Sequence, residues 1–258
     1  MHTANPRPKT EPPENHRSRV GAQRREKTRL RLLQSAIRVF AEKGPDSAMI
    51  EDFIASAKVS RGTFYNYFNT TSELLFAVAS AMSDEVLQIV DPVVLDADDP
   101  VLRFATGTRL YMRMALRYPL WGRFITRVGT RIATRGQLID RFLSRDLTAA
   151  IASKRIHVDN LLVARDIVLG SIFYGIETML TEPTQDHHPE HMICHVLIGL
   201  GIDPKEAAAI AFMPLADPGT LSGGMFSSLE LAPDQKKSRG RAQGANHQAS
   251  FPSAVRVN

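Results

Sequence analysis

The sequence predicts an all-α fold, in which a small N-terminal helix-turn-helix module joins a larger helical core. Apolar residues return at helical spacing in one segment after another between Arg24 and Met213, and no stretch alternates as a strand would. Between Met49 and Phe68 come a short apolar helix, a tight turn and a second short helix. That is the order of a module whose last helix enters the major groove. The charge agrees: through Thr70 the chain holds 13 basic and 7 acidic residues, against 19 and 20 in the remainder. Positive charge gathers around the module, as phosphate binding requires.

Residues 1–23 are rich in Pro, Arg, Asn and Glu and read as a disordered basic arm. Arg17, Arg19, Arg24 and Arg25 close it. Such an arm either enters an adjacent minor groove or is a flexible solubilising tail, and the tail is the favoured reading. The first helix, Arg24 to Lys43, gathers Leu30, Leu33, Ile37, Phe40 and Ala41 on one face, and Gly44-Pro45 ends it. The second, Met49 to Ala57, turns Ile50, Phe53 and Ile54 inward. Lys58 sits in the turn, and Ser60 caps the third helix. On that helix Phe64 and Phe68 share a face. Arg61, Gly62, Tyr65 and Asn66 fall away from them, with Thr63 and Tyr67 on the flank. Gly62 costs about 1 kcal/mol relative to Ala inside a helix, which makes sense where another molecule approaches the backbone.

The run Val59-Ser60-Arg61-Gly62-Thr63-Phe64-Tyr65-Asn66-Tyr67-Phe68 resembles the recognition helix of the TetR family of bacterial transcriptional regulators. Ala36, Phe40, Gly44, Ile50, Ala57 and Leu74 extend the resemblance over residues 24–75. It implies a DNA-binding domain over 24–70 and a helical ligand-binding and dimerisation domain over 71–213. It also implies double-stranded DNA, a second copy of the chain and an unidentified small-molecule effector as partners. Three positions depart from the family pattern. Lys58 replaces the usual turn glycine, Met49 the capping Ser or Thr of the second helix, and Thr71 the lysine after the third. Ser47 is then expected to cap from farther out. The expected DNA-facing set is Ser47, Lys58, Ser60, Arg61, Gly62, Thr63, Tyr65, Asn66 and Tyr67.

Thr70 and Glu73 form a capping-box pattern, which starts a connecting helix to about Val90 with Leu74, Leu75, Val78, Met82, Val86 and Ile89 inward. Pro92 and Pro100 bracket an acidic linker. Helical signals continue over Pro100–Tyr118, Leu120–Thr130, Gln137–Lys154, Val158–Thr181, Pro189–Leu200 and Pro204–Phe212. Residues 214–258 read as a disordered tail with a short apolar patch at Phe226 and Leu229. The segment Leu161–Leu180 carries Ala164, Gly170, Ser171 and Gly175, small residues that permit close helix approach across a two-fold axis.

Phe104, Tyr111, Met112, Trp121, Phe124, Phe142, Phe173, Tyr174 and Glu177 are the candidates for an apolar effector pocket. Arg109, Arg113 and Arg117 repeat every four residues, as do Arg123, Arg127, Arg131 and Arg135; a solvated face opposite an apolar stripe is the favoured reading. His187, His188, His191, Cys194 and His195 cluster, but Pro189 starts a helix among them and no standard metal spacing appears, so neither metal nor cofactor is expected. Two other functions stay open: a metal-dependent enzyme using the His187–His195 cluster, and a helical protein-interaction adaptor. The single cysteine, Cys194, excludes an intrachain disulfide. The N-terminus has no apolar signal-peptide core, and Arg165, Asp166 and Glu177 interrupt the most apolar helix, so a cytoplasmic protein without a membrane span is expected.

Overall fold

The structure, a computed structural model, describes residues 14–133, 136–158, 160–221 and 223–228. Helix α1 (Glu14–Lys43) begins well inside the segment expected to be disordered. Its first half is mostly Glu, Gln, Arg, Lys and Ala, strong helix formers that let the helix propagate back from its packed half. Ser18 to Lys27 are all exposed; residues 1–13 of the expected arm lie outside the described residues. Burial begins at Leu32 and takes in Leu33, Ala36, Ile37, Val39 and Phe40, whereas Leu30 is exposed.

Helices α2 (Ile50–Ala57) and α3 (Arg61–Tyr65) complete the reader. Their seam is aromatic: Phe40 lies 4.9 Å from Phe53, Phe53 6.4 Å from Phe64, and Phe64 6.2 Å from Phe68, centroid to centroid. The start of α2 corrects the expectation for Ser47, which lies two residues outside the N-cap, Met49, and is exposed. The Met49 N–H donates instead to Asp52 Oδ2 at 3.0 Å. Lys43 Nζ, 2.6 Å from Asp52 Oδ1, holds that carboxyl below its ordinary range.

Helix α4 (Thr71–Leu95) starts on Thr70, whose hydroxyl accepts from Glu73 N at 3.0 Å. It runs through Pro92, where a linker was expected. A proline inside a helix removes a hydrogen bond and clashes with the preceding turn, at about 3 kcal/mol; burial of Val90 and Val94 on either side offsets this. Helices α5 (Pro100–Arg117), α7 (Leu138–Ala152) and α8 (Leu161–Thr181) pack with α4 as a bundle. Helix α6 (Pro119–Val128) wedges between α4 and α8, and its Phe124 meets Phe40 of α1 at 5.8 Å, so reader and core share a seam. Helices α9 (His188–Gly199) and α10 (Pro204–Ala211) cover α5 and α8. No strand occurs, and no helix is long and apolar enough to cross a membrane, among the described residues.

Of the first arginine row, Arg109 departs from the expected solvated face, while Arg113 and Arg117 stay exposed. Arg109 is 2% exposed and donates to Glu190 Oε1 at 3.2 Å and to the Met213 carbonyl at 2.8 Å. Arg113 Nη2 reaches the same Glu190 oxygen at 2.6 Å, and Arg117 holds Asp217 and the Gly219 carbonyl. Burial pushes the Glu190 carboxyl up, but the hydrogen bonds and charges of Arg113 and Arg109 outweigh it and hold the group below its usual range. The row clamps α9 and the chain after α10 onto α5.

That chain corrects the expectation of a disordered tail. Residues 213–221 and 223–228 fold back along the core as a strap. Leu221 N donates to the Tyr118 hydroxyl at 2.9 Å, and Met225 N to Glu85 Oε1 at 2.8 Å. Phe226 is buried against Tyr118 and Trp121, at 4.8 and 6.4 Å. Gln34 Nε2 of α1 donates to the Gly224 carbonyl at 3.4 Å. Residues 229–258, including Leu229, lie outside the described residues.

Candidate nucleic-acid interface and core cavity

Ser60 fixes the start of α3. Its hydroxyl accepts from Thr63 N at 3.0 Å and meets the Thr63 hydroxyl at 2.8 Å, which leaves the threonine methyl as the group free to meet a base. Phe64 and Phe68 face inward; Arg61, Gly62, Tyr65 and Asn66 are exposed, with Thr63 and Tyr67 half-buried. A Cβ on Gly62 would meet nothing nearer than Ser60 Oγ at 4.0 Å, so no packing within the chain requires the glycine. Arg61 lies 3.2 Å from Glu51 and 5.9 Å above the Tyr65 ring. Both side chains are largely exposed and the pair is screened by water, so the guanidinium is readily released to another acceptor. Lys58, exposed at the turn, holds φ 52° and ψ 51°.

Beside α3 runs an open groove whose far wall is α1: Gly21, Arg24, Arg25 and Thr28 face Thr63, Asn66 and Tyr67 across it. The Tyr67 hydroxyl donates to the Arg25 carbonyl at 3.2 Å and ties the two walls together. Arg24 and Arg25 were expected at the join of the basic arm and the first helix, and the wall they make with Gly21 and Thr28 beside α3 was not foreseen. Its signal was the helix-forming composition of the expected arm, which keeps Arg24 and Arg25 in register with the reader.

The bundle of α4, α5, α7 and α8 encloses a cavity of about 50 Å³. Val90, Val94, Phe104, Phe142, Leu143 and Ile172 make its wall apolar, and Arg103, Thr108, Tyr111, Asp91 and Asp146 supply polar groups. The Tyr111 hydroxyl meets Ser83 Oγ at 2.6 Å; burial pushes its phenol up, so it stays protonated and able to donate. Arg145 holds both acids, at 2.8 Å from Asp91 and 2.9 Å from Asp146.

Residues 32–78 match a family model described as bacterial regulatory proteins, tetR family, and residues 99–212 match one described as tetracyclin repressor-like, C-terminal domain. The crystal structure of RolR with its ligand resorcinol is similar over 77% of this chain and 100% of its own, at 32% identity and a TM-score of 0.67. The chain belongs to the TetR family. It is a helix-turn-helix transcriptional regulator and binds DNA, which removes the enzyme alternative. RolR without ligand is similar at 30% identity and a TM-score of 0.64, over 73% of this chain and 99% of its own. The regulator YvdT of Bacillus subtilis (strain 168) is 40% identical over 57 residues, 22% of this chain and 29% of its own length. The repressor Rv3405c of Mycobacterium tuberculosis (strain ATCC 25618 / H37Rv) is 32% identical over 66 residues, 26% and 35% of the two lengths. The chain thus spans about a third of the length of these curated relatives.

Within this TetR-family core the nine residues expected at one pocket do not converge. Phe104, Tyr111 and Phe142 line the cavity. Met112 is buried against the α8 side of the bundle, near Gly175. Trp121 packs between Tyr111 and Phe226, and Phe124 on the reader. Phe173, Tyr174 and Glu177 line an open cleft beside α6, where Tyr174 is 79% exposed. An aromatic side chain reports its size to the sequence reader, but not which side of its helix finds a void. The small residues of α8 also divide. Ala164 is buried and Gly175 lies against Met112 and Met192, so both serve packing within the chain, whereas Gly170 faces open space. No group of three or more potential metal ligands converges among the described residues. His187 sits before α9 in a left-handed conformation, and its ring and that of His191 lie against Phe212.

Proposed function

We propose that this regulator is a ligand-responsive repressor that acts in the cytoplasm as a homodimer on a near-palindromic operator. The exposed polar face of α3 carries the proposal. Arg61 and Asn66 reach base edges, Thr63 offers its methyl to thymine, and Gly62 admits the DNA backbone. Lys58, Ser60, Tyr65 and Tyr67 contact phosphates or hold the helix; Ser47, at the edge of the module, is the outermost candidate. The dimer surface is the stripe Val163, Ile167, Gly170 and Tyr174 of α8, extended by Leu162 and by Ile198 of α9. Leu162, Val163, Ile167, Tyr174 and Ile198 are large apolar residues left exposed.

The effector is a small hydroxylated aromatic ring, a class supported by the resorcinol bound to RolR. Thr108 and the Tyr111 hydroxyl suit its polar groups, and the surrounding valine, leucine and phenylalanine side chains suit its face. A benzene-sized guest occupies a cavity of about 150 Å³, so a 50 Å³ cavity must widen to admit it. Helix α4 lines that cavity and also carries the reader, so widening favours a second reader spacing. The ligand then lowers DNA affinity by binding that state better.

Footprinting of the purified protein on genomic fragments tests the reading. A protected near-palindrome is expected, with release on adding a dihydroxybenzene. Equal binding to operator and random DNA at moderate salt would sink it.

A further inference from the structure

From Ser18 to Lys27 helix α1 is exposed and adds nothing to the core, yet it is helical and runs beside the reader. Measured from Leu32 back to Glu14 it extends about 27 Å at the usual rise per residue, most of one turn of a DNA duplex. A helix that stands free in water over such a length is marginal by itself. Three observations give it a partner. Its charge is one-sided: over residues 14–31 Arg17, Arg19, Arg24, Arg25, Lys27, Arg29 and Arg31 stand against Glu14 and Glu26, of which Glu26 lies 4.0 Å from Arg29. Its register is that of the reader, because Gly21, Arg24, Arg25 and Thr28 form one face and line the groove shared with Thr63, Asn66 and Tyr67. Its glycine repeats the puzzle of α3: a Cβ on Gly21 would meet nothing within 4 Å. A glycine inside a helix costs about 1 kcal/mol, and no packing among the described residues requires Gly21 or Gly62.

We propose that the N-terminal half of α1 is a second DNA-binding element. It lies along the sugar-phosphate backbone that flanks the bases read by α3. Arg24 and Arg25 pair with phosphates, and the missing side chain at Gly21 lets the helix backbone approach the strand closely. The Tyr67–Arg25 hydrogen bond sets the angle between this element and the recognition helix, so the two grip the duplex as one unit. The inference rests on DNA binding by α3 and adds affinity rather than sequence preference, because phosphates carry no base identity.

The test uses the full chain, a duplex carrying the footprinted site and a random duplex of equal length, each titrated over a range of KCl. Each phosphate contact adds about 0.9 to the slope of log affinity against log salt. The double variant Arg24→Ala/Arg25→Ala is therefore expected to flatten the slope by about 2 for each chain bound. It should weaken both duplexes by the same factor, about tenfold or more. Arg61→Ala should instead change the ratio between them. Gly21→Leu keeps every charge and a strong helix former, so a fall in its DNA affinity with helix content intact supports close backbone approach. An unchanged slope and affinity in the arginine variant overturns the proposal. A wild-type chain without salt-sensitive binding to either duplex overturns the reading of α3 itself, and the two failures are told apart by that control.

Discussion

Lys58 is a position where the chain departs from its family's chemistry and accepts strain for it. Its φ of 52° is left-handed, a conformation that costs an L-residue about 1–2 kcal/mol and a glycine almost nothing. The turn hydrogen bonds hold it there: Lys58 N donates to Ala55 O at 3.3 Å and Val59 N to Ile54 O at 3.2 Å. Lys58→Gly is expected to raise the free energy of unfolding by about 1 kcal/mol, read from the denaturant midpoint at unchanged slope. The strain was legible through the resemblance, which puts a glycine where this chain has Lys58, and the openness at Gly62 through the glycine itself. Ser47 was misread for a local reason. A cap is made by the residue at the helix start or by a carboxylate three residues inside, and Asp52 already filled that place.

At the scale of elements, helices with an apolar stripe were found in order and to within a few residues, because burial imposes the period that reveals them. Three elements escaped this logic. The first half of α1 buries nothing and so has no stripe. Pro92 looked like a break but sits where valines on both sides are buried. The strap has no regular structure beyond a single 3-10 turn, and Phe226 meets partners, Tyr118 and Trp121, that lie far away in sequence. Phe226→Ala tests the strap. A buried phenylalanine truncated to alanine costs about 3–5 kcal/mol, so a lower melting temperature is expected. Trp121 is the only tryptophan, is fully buried and touches Phe226, so its emission should shift to the red in the same variant. Unaltered fluorescence and melting would show the strap to be an ornament.

For the whole molecule, the apolar residues left outside are where the proposed homodimer would join its two copies. Val163, Ile167 and Tyr174 fall on one face of α8 and are exposed among the described residues. Ile167→Asp puts a carboxylate in that face while leaving the monomer core untouched. Sedimentation is expected to show monomer where the parent is a dimer, and operator affinity should fall by at least tenfold because two half-sites are no longer gripped together. A parent that sediments as a monomer would refute this assembly. The cavity was the least legible feature at this scale. Its walls come from four helices, and a void is a property of how they meet rather than of any residue in them.

The strap also changes the mechanics of the chain. Reader and core are already joined through α4. The strap adds a further attachment beside α4 and the Phe40–Phe124 seam, from the α5–α6 corner at Tyr118 and Trp121 to Gln34 of α1 and Glu85 of α4. Each added attachment removes directions in which a joined body can swing. Reorientation of the reader therefore has to shift the strap's contacts at Gln34 and Phe226 as well as the Phe40–Phe124 seam. A chain cut after residue 212, where the family match ends, would regain the lost freedoms.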